Sequence, residues 1–270
     1  MHSFILHFAS RPEYDFAAIK ARSEQVLDEK LNSSGSDKSQ QMFLLFHKSH
    51  PVELKDGVIC PQTALLCSDP DTRGAPAEEI FQQSWSCPEA RELLAPSRHT
   101  LMVCEMMSQA LPAVERLRLL HGVLQAVLEQ TRPLAIVCHH SQQVIRTQDY
   151  LDSVGDDPVV RPGTLNVRFF RISDSGGDML MDTRGLDELG LPDLQCHYRG
   201  LAPNDISRVL YNTAIYLIEN GPVIESGHTV QGTEPGSRWT CQLEDALIAP
   251  ERTVLDLNPG PPHAAGNREG

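Results

Sequence analysis

Residues 100–138 constrain this chain most. Thr100 to Met107 and Leu134 to Cys138 are short apolar runs of strand composition, and Pro112 to Gln130 between them repeats apolar residues at the helical period. Leu117, Leu120, Leu124, Val127 and Leu128 share one face of that helix, and Leu119 and Val123 widen it. A helix with so broad an apolar face packs between layers rather than on the outside. Buried strands covered by such a helix place the chain in the α+β class.

Upstream, Ser3 to Ala9 reads as a strand, and residues 13–31 as a helix carrying Phe16, Ile19, Val26, Leu27 and Leu31. Asn32 to Gln40 is a polar loop. Met42 to Phe46 and Val58 to Cys67 are strands, the second with Pro61 near its start, which suits an edge or a bulge. Pro76 to Leu94 is helical with a break at Pro88. The order β-α-β-β-α-β predicts a ferredoxin-like, split βαβ sheet over residues 1–140.

Residues 141–165 are polar, with a short helix followed by Gly155, Pro158, Pro162 and Gly163, and read as a linker region. A second α+β half spans 166–258. It has strands at Asn166 to Ile172 and Met179 to Asp182 about a turn at 174–177, and a helix over 204–219 capped by Asn204 and stopped by Gly221-Pro222. Strands near His228 to Gly232 and Trp239 to Leu243 follow, and residues 259–270 read as a disordered tail. No internal repeat has a fixed period.

The chain is acidic, with 36 Asp and Glu against 23 Lys and Arg, a formal charge of −13. Phosphate backbones and anionic membrane surfaces are repelled by such a surface, so neither nucleic acid nor membrane is an expected partner. A basic protein is attracted and steered. Seven cysteines, an odd number at wide spacings without a CxxC pair, fit buried thiols in a reducing cytosol better than a disulfide framework or a zinc site. The N-terminus has neither the basic stretch nor the apolar run of a signal peptide, and no apolar run approaches the length of a membrane span.

Candidate chemistry is sparse. Asp174-Ser175-Gly176-Gly177 is similar to the nucleophile loop of trypsin-like proteases, but Ser173 and Asp178 stand where Gly and Pro flank that loop, and a β-turn explains the run equally well. Cys138-His139-His140 ends a buried strand, where alternate side chains point to opposite faces and cannot converge on one metal; Cys196-His197 has the same property. His47 and His50 lack the helical context of a metalloprotease pair and a nearby carboxylate in sequence. Phosphate loops of the GxxxxGK[ST] or GxGxxG kind are absent, and aromatics are only 6% of residues, too few for a base-stacking platform. The expectation is no catalytic residue, no metal and no cofactor.

Charge is unevenly placed. Between Asp149 and Asp193 ten acidic residues (Asp149, Asp152, Asp156, Asp157, Asp174, Asp178, Asp182, Asp187, Glu188 and Asp193) face four arginines, a net of −6. Asp149, Asp152, Asp156, Asp157, Asp187 and Glu188 are the candidate partner-binding residues, set against the simpler account of a solvated face.

The run Gly177 to Leu194, with Met181-Asp182-Thr183-Arg184-Gly185 followed by Leu189-Gly190-Leu191-Pro192-Asp193, resembles the hallmark of an uncharacterised bacterial family of unknown function. The strand at Met42 to Phe46 and the segment around Trp85 look similar too, so the resemblance spans most of the chain. No catalytic residues are known for that family. Some proteins of this kind resemble immunity partners of toxins delivered by the type VI secretion system, which implies a non-enzymatic inhibitor of a basic nuclease effector. The competing expectations are an enzyme or small-ligand protein built from scattered residues, with His139, His140 and the 174–182 loop nearby, and a scaffold of the secretion apparatus.

Overall fold

A computed structural model describes residues 2–34, 42–55, 57–68 and 76–266. The chain divides into two compact units, Met1–Thr164 and Leu165–Gly270. Each combines helices with a β-sheet, and the class is α+β.

The first unit contains β1 (Ser3–Phe8), α1 (Phe16–Leu27), β2 (Asn32–Ser33), β3 (Met42–Phe46), β4 (Val52–Leu54), β5 (Gly57–Ile59), β6 (Gln62–Ser68), α2 (Glu78–Gln82), α3 (Ala90–Leu94), β7 (His99–Met106), α4 (Ala113–Thr131), β8 (Ala135–Cys138), β9 (Gln143–Arg146) and α5 (Thr147–Asp152). Seven strands form one sheet in the order β2-β3-β6-β7-β1-β8-β9, every neighbour antiparallel, and β4 and β5 pair as a separate hairpin. Asp15 caps α1 through a 2.9 Å bond from the Ala17 N–H. Alternation along β1 sends Phe4, Leu6 and Phe8 into a core shared with α1 and α4, and Ile5 into a second core with Ile80, Cys87, Ala90, Val137 and Val144. Helices therefore cover both faces of the sheet. Gly122 lets α4 approach α1, because a Cβ there would lie 2.8 Å from Leu27 Cγ.

The expected sheet order needs correction. A split βαβ sheet places its first strand between the third and fourth, parallel to the third. Here β6 pairs directly with β7 along its whole length, Gln62↔Met106 to Ser68↔Thr100, and β1 adds beyond β7. Both strands are apolar on both faces, so hydrophobic pattern says nothing of which neighbour each takes. The linker is also revised. Residues 143–152 supply the edge strand β9 and α5, and Tyr150 is wholly buried in the first core. Its buried positions are too few among polar residues to stand out in sequence.

The second unit contains β10 (Asn166–Arg171), β11 (Met179–Arg184), β12 (Asp193–Tyr198), α6 (Pro203–Asn220), β13 (Thr229–Gln231), β14 (Arg238–Asp245) and β15 (Thr253–Asn258). Its sheet runs β10-β11-β12-β15-β14-β13, antiparallel except for β12 beside β15. The helix begins at Pro203, after Ala202 rather than at an Asn204 cap, and its stripe of Ile206, Val209, Leu210, Ala214, Leu217 and Ile218 is buried. Proline suits that first position, since its missing N–H needs no partner there. The tail is ordered as far as it is described: Ala264 bridges Tyr198 and Ala265 is buried. Residues 267–270 of the expected disordered tail, and 35–40 of the expected loop, lie outside the described residues.

Candidate functional site

Register places Arg168, Asp182, Gln195, Asp256 and Gln242 in one polar row across five strands of the second sheet. Most of that row is buried, and its Arg168 and Asp182 form an ion pair. Arg168 Nε donates to Asp182 Oδ1 at 2.8 Å, and Arg252 Nη2 donates to Asp182 Oδ2 at 2.7 Å. Asp193 Oδ2 accepts from Arg252 Nε at 3.0 Å and from Arg184 Nη1 at 2.9 Å. Its Oδ1 accepts from the Leu186 N–H and the Thr183 hydroxyl, both at 3.2 Å. Thr183 in turn accepts from the Leu194 N–H at 2.8 Å. All four oxygens of Asp182 and Asp193 are occupied.

The hallmark run thus has a physical account. Asp182, Thr183, Arg184 and Asp193 are the knots of a buried ion network that closes β11 onto β12. Gly185 (φ 126°) and Gly190 (φ 79°) supply the positive φ that the connection between them needs. Burial pushes the Asp193 carboxyl up and the Asp187 charge adds to this; Arg184 and Arg252 oppose both, leaving a pKa of about 6.

In the first unit the structure assembles a cluster hidden from sequence. His47 Nδ1 meets Glu29 Oε1 at 2.8 Å, His50 Nε2 meets Glu29 Oε2 at 2.9 Å, and His50 Nδ1 meets Glu115 Oε1 at 3.0 Å. Thr63 Oγ1 lies 2.9 Å from His47 Nε2. Thr63, His47 and Glu29 have the connectivity of a hydroxyl–imidazole–carboxylate relay. Thr63 and His47 are each only 1% exposed, however, so no carbonyl can reach the hydroxyl. The carboxylates missing near His47 and His50 in sequence come from the bend after α1 and from α4; no local signal points to Glu29 or Glu115.

His139 and His140 lie in the turn after β8 rather than on the strand, His140 buried and His139 exposed. The His140 Nε2 bonds the Gly163 carbonyl at 2.9 Å, and its ring packs edge-on against His2 at 3.8 Å between centroids. His121 bonds the Tyr150 hydroxyl at 2.6 Å and Thr164 Oγ1 at 3.0 Å. Burial first, then Arg161 and His140, lower His121 to about 3, so this imidazole stays neutral. Among the described residues no three His, Cys, Asp or Glu side chains are placed to hold one metal ion. Ser175 closes the turn between β10 and β11: its hydroxyl donates to the Ile172 carbonyl at 2.7 Å and accepts from the Asp178 N–H at 3.0 Å.

The six candidate partner-binding residues divide between the units. Asp149, Asp152, Asp156 and Asp157 are exposed on α5 and the turn after it. Asp149 pairs with Arg146 at 2.8 Å, Asp152 accepts from Gln148 at 2.7 Å, and Asp157 caps a 3-10 turn through the Val159 N–H at 2.9 Å. Asp187 is exposed and Glu188 half-buried on the turn between β11 and β12. Three other carboxylates of the acidic segment, Asp178, Asp182 and Asp193, are buried in ion pairs and add nothing to a surface.

Residues 182–258 match a domain of unknown function (DUF4261). The match begins within the hallmark run and lies wholly in the second unit. No curated protein matches the chain. No solved structure matches it.

Proposed function

We propose that this chain is a non-enzymatic, cytoplasmic binding protein that neutralises a basic protein toxin, a nuclease effector of a type VI secretion system. The observation that carries this reading is the contrast between inner and outer carboxylates. Asp178, Asp182 and Asp193 are neutralised by arginines inside the second unit, whereas Asp149, Asp152, Asp156 and Asp157 stand exposed within nine consecutive positions of the first. Exposed like charges of this density attract a basic partner and speed its encounter. The resemblance to immunity proteins supplies the class of partner. Two further features favour binding over catalysis: the Asp182 and Asp193 oxygens are fully occupied, and the Thr63 hydroxyl is sealed from substrate. Among the described residues no helix is long and apolar enough to cross a membrane.

The test is a nuclease assay with a basic type VI nuclease effector from the same organism, with and without an excess of the chain. Cleavage should stop at equimolar chain, and association should slow by about tenfold or more when Asp149, Asp152, Asp156 and Asp157 all become Asn. An effector that cleaves undiminished in excess chain overturns the proposal.

A further inference from the structure

Trp85 is 61% exposed, yet it stands in the middle of a tightly held turn between α2 and α3. The Ser84 hydroxyl donates to the Ile80 carbonyl at 2.5 Å and accepts from the Val144 N–H of β9 at 2.8 Å. The Cys87 N–H returns to the Ser84 carbonyl at 2.9 Å, and the Cys87 side chain is wholly buried. Arg146 Nη1 donates to the Ser86 carbonyl at 2.5 Å. Even the indole is oriented, its Nε1–H donating to Gln83 Oε1 at 3.2 Å. Exposure here does not come from a loose loop. A large aromatic presented on a rigid turn loses little freedom on binding, which is the character of an interface anchor.

Arg146 ties this turn to the acidic face. The same guanidinium binds both oxygens of Glu89, at the start of α3, and Asp149 Oδ2 at 2.8 Å. One cation thus lies between two carboxylates at Ser86, the residue after Trp85, and Asp152 follows Asp149 by three positions on α5, so the charge tied to this turn is net negative. A guanidinium suits such a place better than any other side chain. It stacks on the indole face and donates to a neighbouring carboxylate in the same plane.

We propose that Trp85, on the turn that Arg146 ties to Glu89 and Asp149, anchors a docking surface for a basic protein partner and receives an arginine of that partner. This rests on the neutralisation reading for the partner's role, but its chemistry is testable without the effector.

The probe is an acetylated, amidated peptide of alternating Gly and Arg, with a citrulline counterpart of equal size and no charge, titrated at low salt into the full chain. The arginine peptide should bind and quench the exposed-tryptophan emission, the buried Trp239 contributing a constant background; the citrulline peptide should bind at least about tenfold more weakly. Trp85→Ala should weaken binding about tenfold with an unchanged melting temperature, Trp85→Phe should fall between, and Glu89→Gln with Asp149→Asn should match the alanine variant. Asp187→Asn with Glu188→Gln, in the other unit, should leave binding as it was. Failure of the wild type to bind, equal binding of the citrulline peptide, or full binding by both Trp85 variants overturns the proposal. If the Trp85 variants bind fully while the effector is still inhibited, the anchor falls and the neutralisation reading stands. If peptide binding behaves as stated but the effector cleaves freely, the neutralisation reading falls and the docking surface stands.

Discussion

Arg252 and Asp193, 59 positions apart, meet through a 3.0 Å hydrogen bond from Nε to Oδ2 in the interior of the second unit. The same guanidinium reaches Asp182, so a residue just before the last strand ties β11 to β12. A buried network of this kind is costly to break, because removing one partner leaves the others charged and dry.

Asp182→Ala should therefore destabilise the protein by about 3–5 kcal/mol, since it takes away the carboxylate that Arg168 pairs with and one of the two that Arg252 holds. Replacing both Asp182 by Leu and Arg168 by Met should cost less than the single change. Urea denaturation of the three proteins checks the order, and a double variant less stable than Asp182→Ala would refute it.

Asp193 gives a pH dependence of unusual sign. Its folded pKa, about 6, lies above the ordinary 3.8, so the folded state holds this proton more tightly than the unfolded chain. Its contribution is fully present below about pH 4 and declines as pH rises towards 6. Asp193→Asn should remove that decline, so the stability difference between wild type and variant should change across pH 4–6 and be flat above it. A carboxyl titration of Asp193 by NMR with a midpoint near 4 would contradict this.

Glu29 behaves in the ordinary direction. Burial raises its pKa, but the bonds and charges of His47 and His50 outweigh burial and hold it below the usual 4.5. Its stabilisation is present above the unfolded value and is lost as pH falls through the folded one. Glu29→Gln should cost about 2 kcal/mol at pH 7, the usual size for buried hydrogen bonds to a charged group, and progressively less below pH 4.5. Equal costs at pH 7 and pH 3 would exclude the ionised pairing.

Gly122→Ala should destabilise by about 1–3 kcal/mol despite the better helix propensity of alanine, because the new methyl meets the buried Leu27 side chain. Combined with Leu27→Ala, the same change should cost much less than it does alone. Thermal melts of the four members of this cycle measure the coupling; additive costs would show that α1 and α4 can separate freely.

The long apolar helix at 113–131 and the strands around it were legible because periodicity is local and strong there. The ferredoxin-like order was not. Leu65 and Val103 face each other in β6 and β7, but strands that are apolar on both faces carry no mark of their neighbours. Residues 143–152 read as a linker in sequence because β9 and α5 owe their order to a few residues, Val144, Ile145 and Tyr150, packed against distant elements. Counting charges between Asp149 and Asp193 found a real excess but could not separate paired from exposed carboxylates.

What the sequence by itself determined is the class of the fold, most helices and the acidity of the chain, all of which rest on composition and on neighbours a few positions apart. Tertiary structure alone decided that β6 pairs with β7, that Asp182 and Asp193 are interior knots, that Glu29 joins His47 to His50, and that Trp85 stands exposed on a turn that Arg146 ties to Asp149. These depend on pairs separated by tens of residues, and only the folded backbone, through register and burial, brings such groups within a hydrogen bond of one another.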